Sequence, residues 1–201
     1  MILALDAAQL LDAVGRLPLH AQDLGEHLPP GHGYLGAIFL FMGSLLVAEI
    51  LAGQVWSRAF WRKMLWPGGL IAAGLAMVLV SYVQPTDKSV HYTLAVLLLL
   101  GGYFEAQHRL GHISRSTADA FAIPALIVGG FVIGPMHANG QLLYSAGANT
   151  HILVGISGWA LAGIKLMRVR YGPTAAIEGS LASGLMALGL SLLLVQQFHG
   201  H

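Results

Sequence analysis

The chain contains no cysteine and little charge: Asp, Glu, Lys and Arg together make up 9% of its 201 residues. The first absence excludes a disulfide framework, a thiolate metal site and a thiol nucleophile, so any metal must be held by His, Met, Asp, Glu or backbone. The second excludes an ordinary soluble domain, in which roughly 25% of residues are charged. A net charge of +1 leaves no basic face for a nucleic acid, and no such partner is expected. Hydrophobic residues, by contrast, account for 56% of the sequence. The chain reads as an integral membrane protein whose first partner is the lipid bilayer.

Six apolar runs separated by short polar breaks carry that reading: Tyr34 to Gly53, Met64 to Gln84, His91 to Leu110, Ala118 to Met136, His151 to Met167 and Ala175 to Gln197. At about 1.5 Å per residue each is long enough to cross a hydrocarbon core about 30 Å thick. The expected fold is all-α, with six transmembrane helices in one bundle over residues 34–201. Residues 1–33 form a separate segment. Ile2, Leu3, Leu5, Leu10, Leu11, Val14 and Leu17 alternate there with Asp6, Gln9 and Asp12, which predicts an amphipathic helix lying on the outer membrane face. Asp6 and Asp12 interrupt what a secretory signal would need as an unbroken apolar core.

The loops set the orientation. Arg58, Arg62, Lys63, Arg109, Arg115, Lys165, Arg168 and Arg170 fall on one side, and only Arg16 and Lys88 on the other. The positive-inside rule places the eight in the cytoplasm and both termini in the periplasm of a bacterial inner membrane. Small residues at helical spacing are expected to mark helix contacts: Gly68, Ala72 and Ala76, Gly130 and Gly134, and Ser180 and Gly184. Pro135 is expected to help end the fourth span.

On the outer side, His91 opens the third span, His137 follows the fourth within GPMHANG, and His151 opens the fifth. Met136 stands beside His137, and Asp87 lies one helical turn before His91. Imidazoles with a thioether and a carboxylate, and no thiol, suit copper or zinc; two imidazoles on parallel helices suit the iron of haem b. His91 and His151 are the expected cofactor ligands. His91, His137, His151, Met136 and Asp87 are the expected metal-ligating set, with Asp87 and Asn149 as orienting neighbours. A histidine at a helix end can equally hydrogen-bond water or lipid phosphate with no cofactor present.

In layout, a histidine pair near one face on the third and fifth of six spans is similar to the cytochrome b561 architecture. That resemblance implies haem-mediated electron transfer through His91 and His151. The second haem of that architecture needs histidines on the second and fourth spans toward the opposite face, and the second span has none.

The cytoplasmic side carries Glu49, Glu105, His108, His112, Asp119 and Glu178. Glu105, His108 and His112 are spaced to share one helical face, and the set is suited to ion pairing with Arg109, Arg115 and Lys165 or to a proton or cation path. The functional expectation is therefore a copper or haem b protein acting in electron transfer or metal handling, with a membrane or periplasmic redox partner. The alternatives are a non-catalytic subunit of a larger membrane complex, a proton- or cation-coupled transporter using the cytoplasmic acids, and an enzyme using metal-bound water. The orientation is checked with reporters: a fusion active only in the periplasm is expected to work after His201 and to be silent when inserted between Gly111 and Ser114.

Overall fold

The computed structural model describes residues 31–52, 60–83, 88–136 and 146–199. These form six helices and no strand: α1 (Gly31–Ala52), α2 (Phe60–Val83), α3 (Lys88–Arg109), α4 (Arg115–Phe131), α5 (Ala146–Tyr171) and α6 (Ala175–His199). All six are long and apolar enough to span a membrane. The expected N-terminal interfacial helix lies outside the described residues. Large apolar side chains remain exposed on every helix, among them Phe41, Leu75, Val96, Ile127, Leu153 and Leu190. Water would not tolerate such a surface, whereas hydrocarbon does. Hydroxyls within the spans bond to their own helices: Ser44, Ser81, Ser157 and Ser191 each donate to the carbonyl four residues back.

Two turns at one end have clear local causes. α3 stops at Arg109 and the chain reverses through Gly111, whose φ of +83° is the left-handed region open to glycine. Ser114 then caps α4, its Oγ accepting from the Thr117 N–H at 3.1 Å. α5 ends in the same way at Gly172 (φ +80°), and Thr174 Oγ1 accepts from the Ile177 N–H in the first turn of α6. At the opposite end α4 gives way to a π-helical turn over Val132–Met136, and the apolar span ends at Gly134 beside Pro135, which has no N–H to bond the carbonyl four residues back.

The helices pack as a ring. Each touches its neighbours in sequence, α1 closes onto α6, and among the described residues no helix packs directly across the middle. Glycines bring three of the six seams to backbone contact. A Cβ on Gly189 would lie 2.7 Å from the Gly36 carbonyl oxygen (α6 on α1), one on Gly102 3.0 Å from that of Pro67 (α3 on α2), and one on Gly155 2.6 Å from that of Gly130 (α5 on α4). Gly134 also backs onto Gly155, and Gly184 onto Leu161, so both lie at seams as expected. Gly68 does not: nothing lies within 4 Å of its Cβ position, and its neighbour Gly69 meets Met42 instead. The stripe of small residues was sound as a signal of close packing, but its phase around the helix was not fixed by spacing alone.

A pair of substitutions separates seam from surface. Gly130→Ala sets a methyl 2.7 Å from the Gly155 oxygen and the Trp159 ring, and is expected to destabilise by roughly 1–3 kcal/mol. Gly163→Ala, with open space around it, is expected to be neutral or to stabilise by about 0.5–1 kcal/mol. Thermal unfolding in detergent micelles measures both, and equal melting of the two variants would contradict the ring seam.

Candidate functional site

The ring encloses an apolar cavity of about 180 Å³ to which all six helices contribute. Two of its walls share one pattern. On α3, Leu94, Leu98, Gly101 and Glu105 line it; on α5, Val154, Gly158, Leu161 and Lys165 do so at the same spacing. That spacing of alternating threes and fours is one face of a helix. One turn back along each face stand His91 and His151. Both helices run the same way, so the histidines mark one end of the cavity and Glu105 with Lys165 the other. His151 is buried, at 8% exposure, and His91 is half-buried.

At the charged end two networks tie the helices together. Arg109 on α3 grips Glu49 of α1 with two bonds, of 2.8 and 3.1 Å, and donates from Nε to Glu105 at 3.0 Å. Arg115 of α4 reaches both oxygens of Glu105, at 3.0 and 2.9 Å. The second network centres on Asp119 of α4, 1% exposed. Lys165 donates to its Oδ1 at 2.9 Å, Arg168 donates from Nε to Oδ2 at 2.9 Å and from Nη2 to Oδ1, and Arg168 continues to Glu178 of α6. Each network holds two acids and two bases and is formally neutral.

These contacts answer part of the sequence reading. Ion pairing is the arrangement adopted by Glu49 and Glu105 with Arg109 and Arg115, while Lys165 bonds Asp119 rather than Glu105. Glu105, His108 and His112 do not share a helical face, because the helix ends at Arg109 before His112 is reached. His112 Nδ1 instead pairs with the Gln107 side chain at 2.7 Å, and His108 Nδ1 with the Ile113 carbonyl at 3.3 Å.

At the histidine end, Asp87 and His137 lie outside the described residues, and of Met136 only the backbone is described, as the last residue of the π turn. Among the described residues no three His, Asp or Glu side chains converge as a metal would require. His91 and His151 stand near the starts of α3 and α5, at the same end of the ring, and these two helices flank α4 and do not pack on each other. The π turn packs on both of these helices, and Gly134 within it sits against the His151 backbone.

The cavity itself had no signature in any single span. Its legible trace is the equal separation, fourteen residues, of His91 from Glu105 and of His151 from Lys165. No protein-family model, curated protein or solved structure matches the chain.

The Asp119 network makes a separable prediction. Asp119→Leu leaves Lys165 beside Arg168 without its bonded counter-charge and is expected to cost about 3–5 kcal/mol. Adding Lys165→Met should restore most of that loss, because Arg168 keeps Glu178. Unfolding curves in micelles give both values, and a double variant no more stable than the single one would contradict the network as drawn.

Proposed function

We propose that this chain is an integral membrane redox protein that holds a haem b between His91 and His151. The observation that carries the reading is the pair of equivalent histidines on parallel helices, each one turn beyond the last residue that lines the cavity on its helix. Helices in direct contact lie about 8–10 Å apart, too close for a macrocycle to slot between their side chains. Helices separated by a third, as α3 and α5 are by α4, leave that room. Leu94 and Val154, one turn further in, give the edge of such a group an apolar floor. His91 and His151 would hold the iron through imidazole nitrogens, and the bound group would supply reversible one-electron exchange. By the positive-inside rule the histidine end faces the periplasm, where a membrane or periplasmic partner would exchange the electron.

A copper site is the second reading, and one observation favours it. The π turn that ends in Met136 packs on both histidine-bearing helices. The next residue in the chain is His137. Three imidazoles and a thioether drawn from these positions would make a soft, cysteine-free donor set.

Absorption spectra of oxidised and reduced protein, purified without a histidine tag or added metal, separate the two when combined with iron and copper analysis. The haem reading expects a Soret band and a sharp reduced α band, both lost in His91→Ala and in His151→Ala while each variant still inserts. Copper bound without a Soret band, and lost in the same variants, supports the second. Unchanged metal or haem content in both variants would overturn the assignment of these histidines.

A further inference from the structure

The cavity is long and thin. From Leu94 to Glu105 on α3, and from Val154 to Lys165 on α5, eleven helical rises run along it, a length of about 16 Å. A volume of about 180 Å³ drawn out over that length leaves room for one extended chain. Apart from Glu105 and Lys165, its walls are aliphatic or aromatic side chains and glycine, including Phe39, Trp66, Met77 and Leu188. Such a space gives water few partners and stays dry or takes an apolar guest. A guest would restore the dispersion contacts that the lining atoms lack.

The charged end limits the guest's charge. Glu105 is already bonded by Arg109 and Arg115, and Lys165 by Asp119, within two networks that each sum to zero. A charged head group arriving there would meet no counter-charge in a low-dielectric setting and would be strongly disfavoured. An uncharged tail meets no such penalty. We infer that the cavity binds a single neutral hydrocarbon chain, prenyl or acyl, with its tail toward Glu105 and Lys165 and its polar head toward the end marked by His91 and His151. This does not depend on any metal or haem at that end.

Two wall positions allow the space to be filled from within. A Cβ on Gly101 has only Leu70 near it, at 3.9 Å, so Gly101→Leu extends into the cavity; Ala125→Leu does the same from α4. Native mass spectrometry of protein released from mild detergent, incubated with dodecanol or with farnesol, reads the outcome. One retained chain per protein is expected for the wild type, and its loss is expected in both filled variants, each of which should melt no lower than the wild type without ligand. The mass of any chain carried through purification tells a prenyl from an acyl source. Dodecanol brominated at its tail should quench Trp66, which lines the cavity, and that part of the quenching should vanish in Trp66→Phe. No retained chain on the wild type, or equal retention by the two filled variants, would overturn the proposal. Quenching unaltered by Trp66→Phe would overturn the tail direction.

Discussion

Hydrocarbon gives helices no hydrophobic drive to associate, so everything in this fold depends on backbones coming close enough for dispersion contacts to accumulate. Glycine makes that approach at three seams, α1 with α6, α2 with α3 and α4 with α5. The first of these is the one that matters most for the shape, because it joins the two ends of the chain's helical order and turns a row into a ring. Six cylinders in a closed ring surround a gap about as wide as another helix, roughly 10 Å. Side chains from all six helices occupy most of that gap and leave about 180 Å³. The cavity is thus a consequence of ring closure, and ring closure is a consequence of where the glycines fall.

An apolar cavity can end on charged groups only if those groups are satisfied by one another. Glu105 and Lys165 meet this condition through different partners, Glu105 through two arginines and Lys165 through Asp119. α4 contributes to both networks, Arg115 to one and Asp119 to the other, so the charged end is braced from α1 through α3, α4 and α5 to α6. A buried ion pair adds little to stability relative to well-packed apolar residues, whereas a broken one costs heavily. The networks therefore act mainly as a constraint on register: a helix that slid by one turn would strand a charge in the hydrocarbon. The acids on this end are occupied by one another's counter-charges.

The six spans were legible because length and apolarity alone decide whether a helix can cross a bilayer, and neither needs tertiary knowledge. What required the fold was phase and closure. Gly68 and Gly69 are both glycine in a span, and only the packed helix shows that Gly69 meets Met42 while Gly68 meets nothing. The triad Glu105, His108 and His112 looked like one face because its spacing is helical, yet Gly111 takes a left-handed turn before the last member. Asp119 was visible as an acid opening a span, but its partners lie on the far side of a loop and a helix, at Lys165 and Arg168. The matched spacing from His91 to Glu105 and from His151 to Lys165 was present in the sequence throughout. It acquires meaning only once α3 and α5 are known to run parallel around a common cavity.

That matched spacing also separates two kinds of chemistry. Fourteen residues of helix span about 21 Å, more than twice the roughly 8 Å Debye length of physiological saline and here filled by apolar side chains. A single unpaired charge at the far end would still be felt through so poor a screening medium. Two networks that each sum to zero are felt far less, since only their internal dipoles remain. Any group bound at the histidine end would consequently be set by its own surroundings: the burial of His151, the partial exposure of His91, and the groups nearest to them in sequence. In the sequence those groups are Asp87, one turn before His91, and Asn149, two residues before His151. The ion-paired end fixes the positions of α3 and α5, and through them the level at which the two histidines stand, while contributing almost nothing to the field they experience.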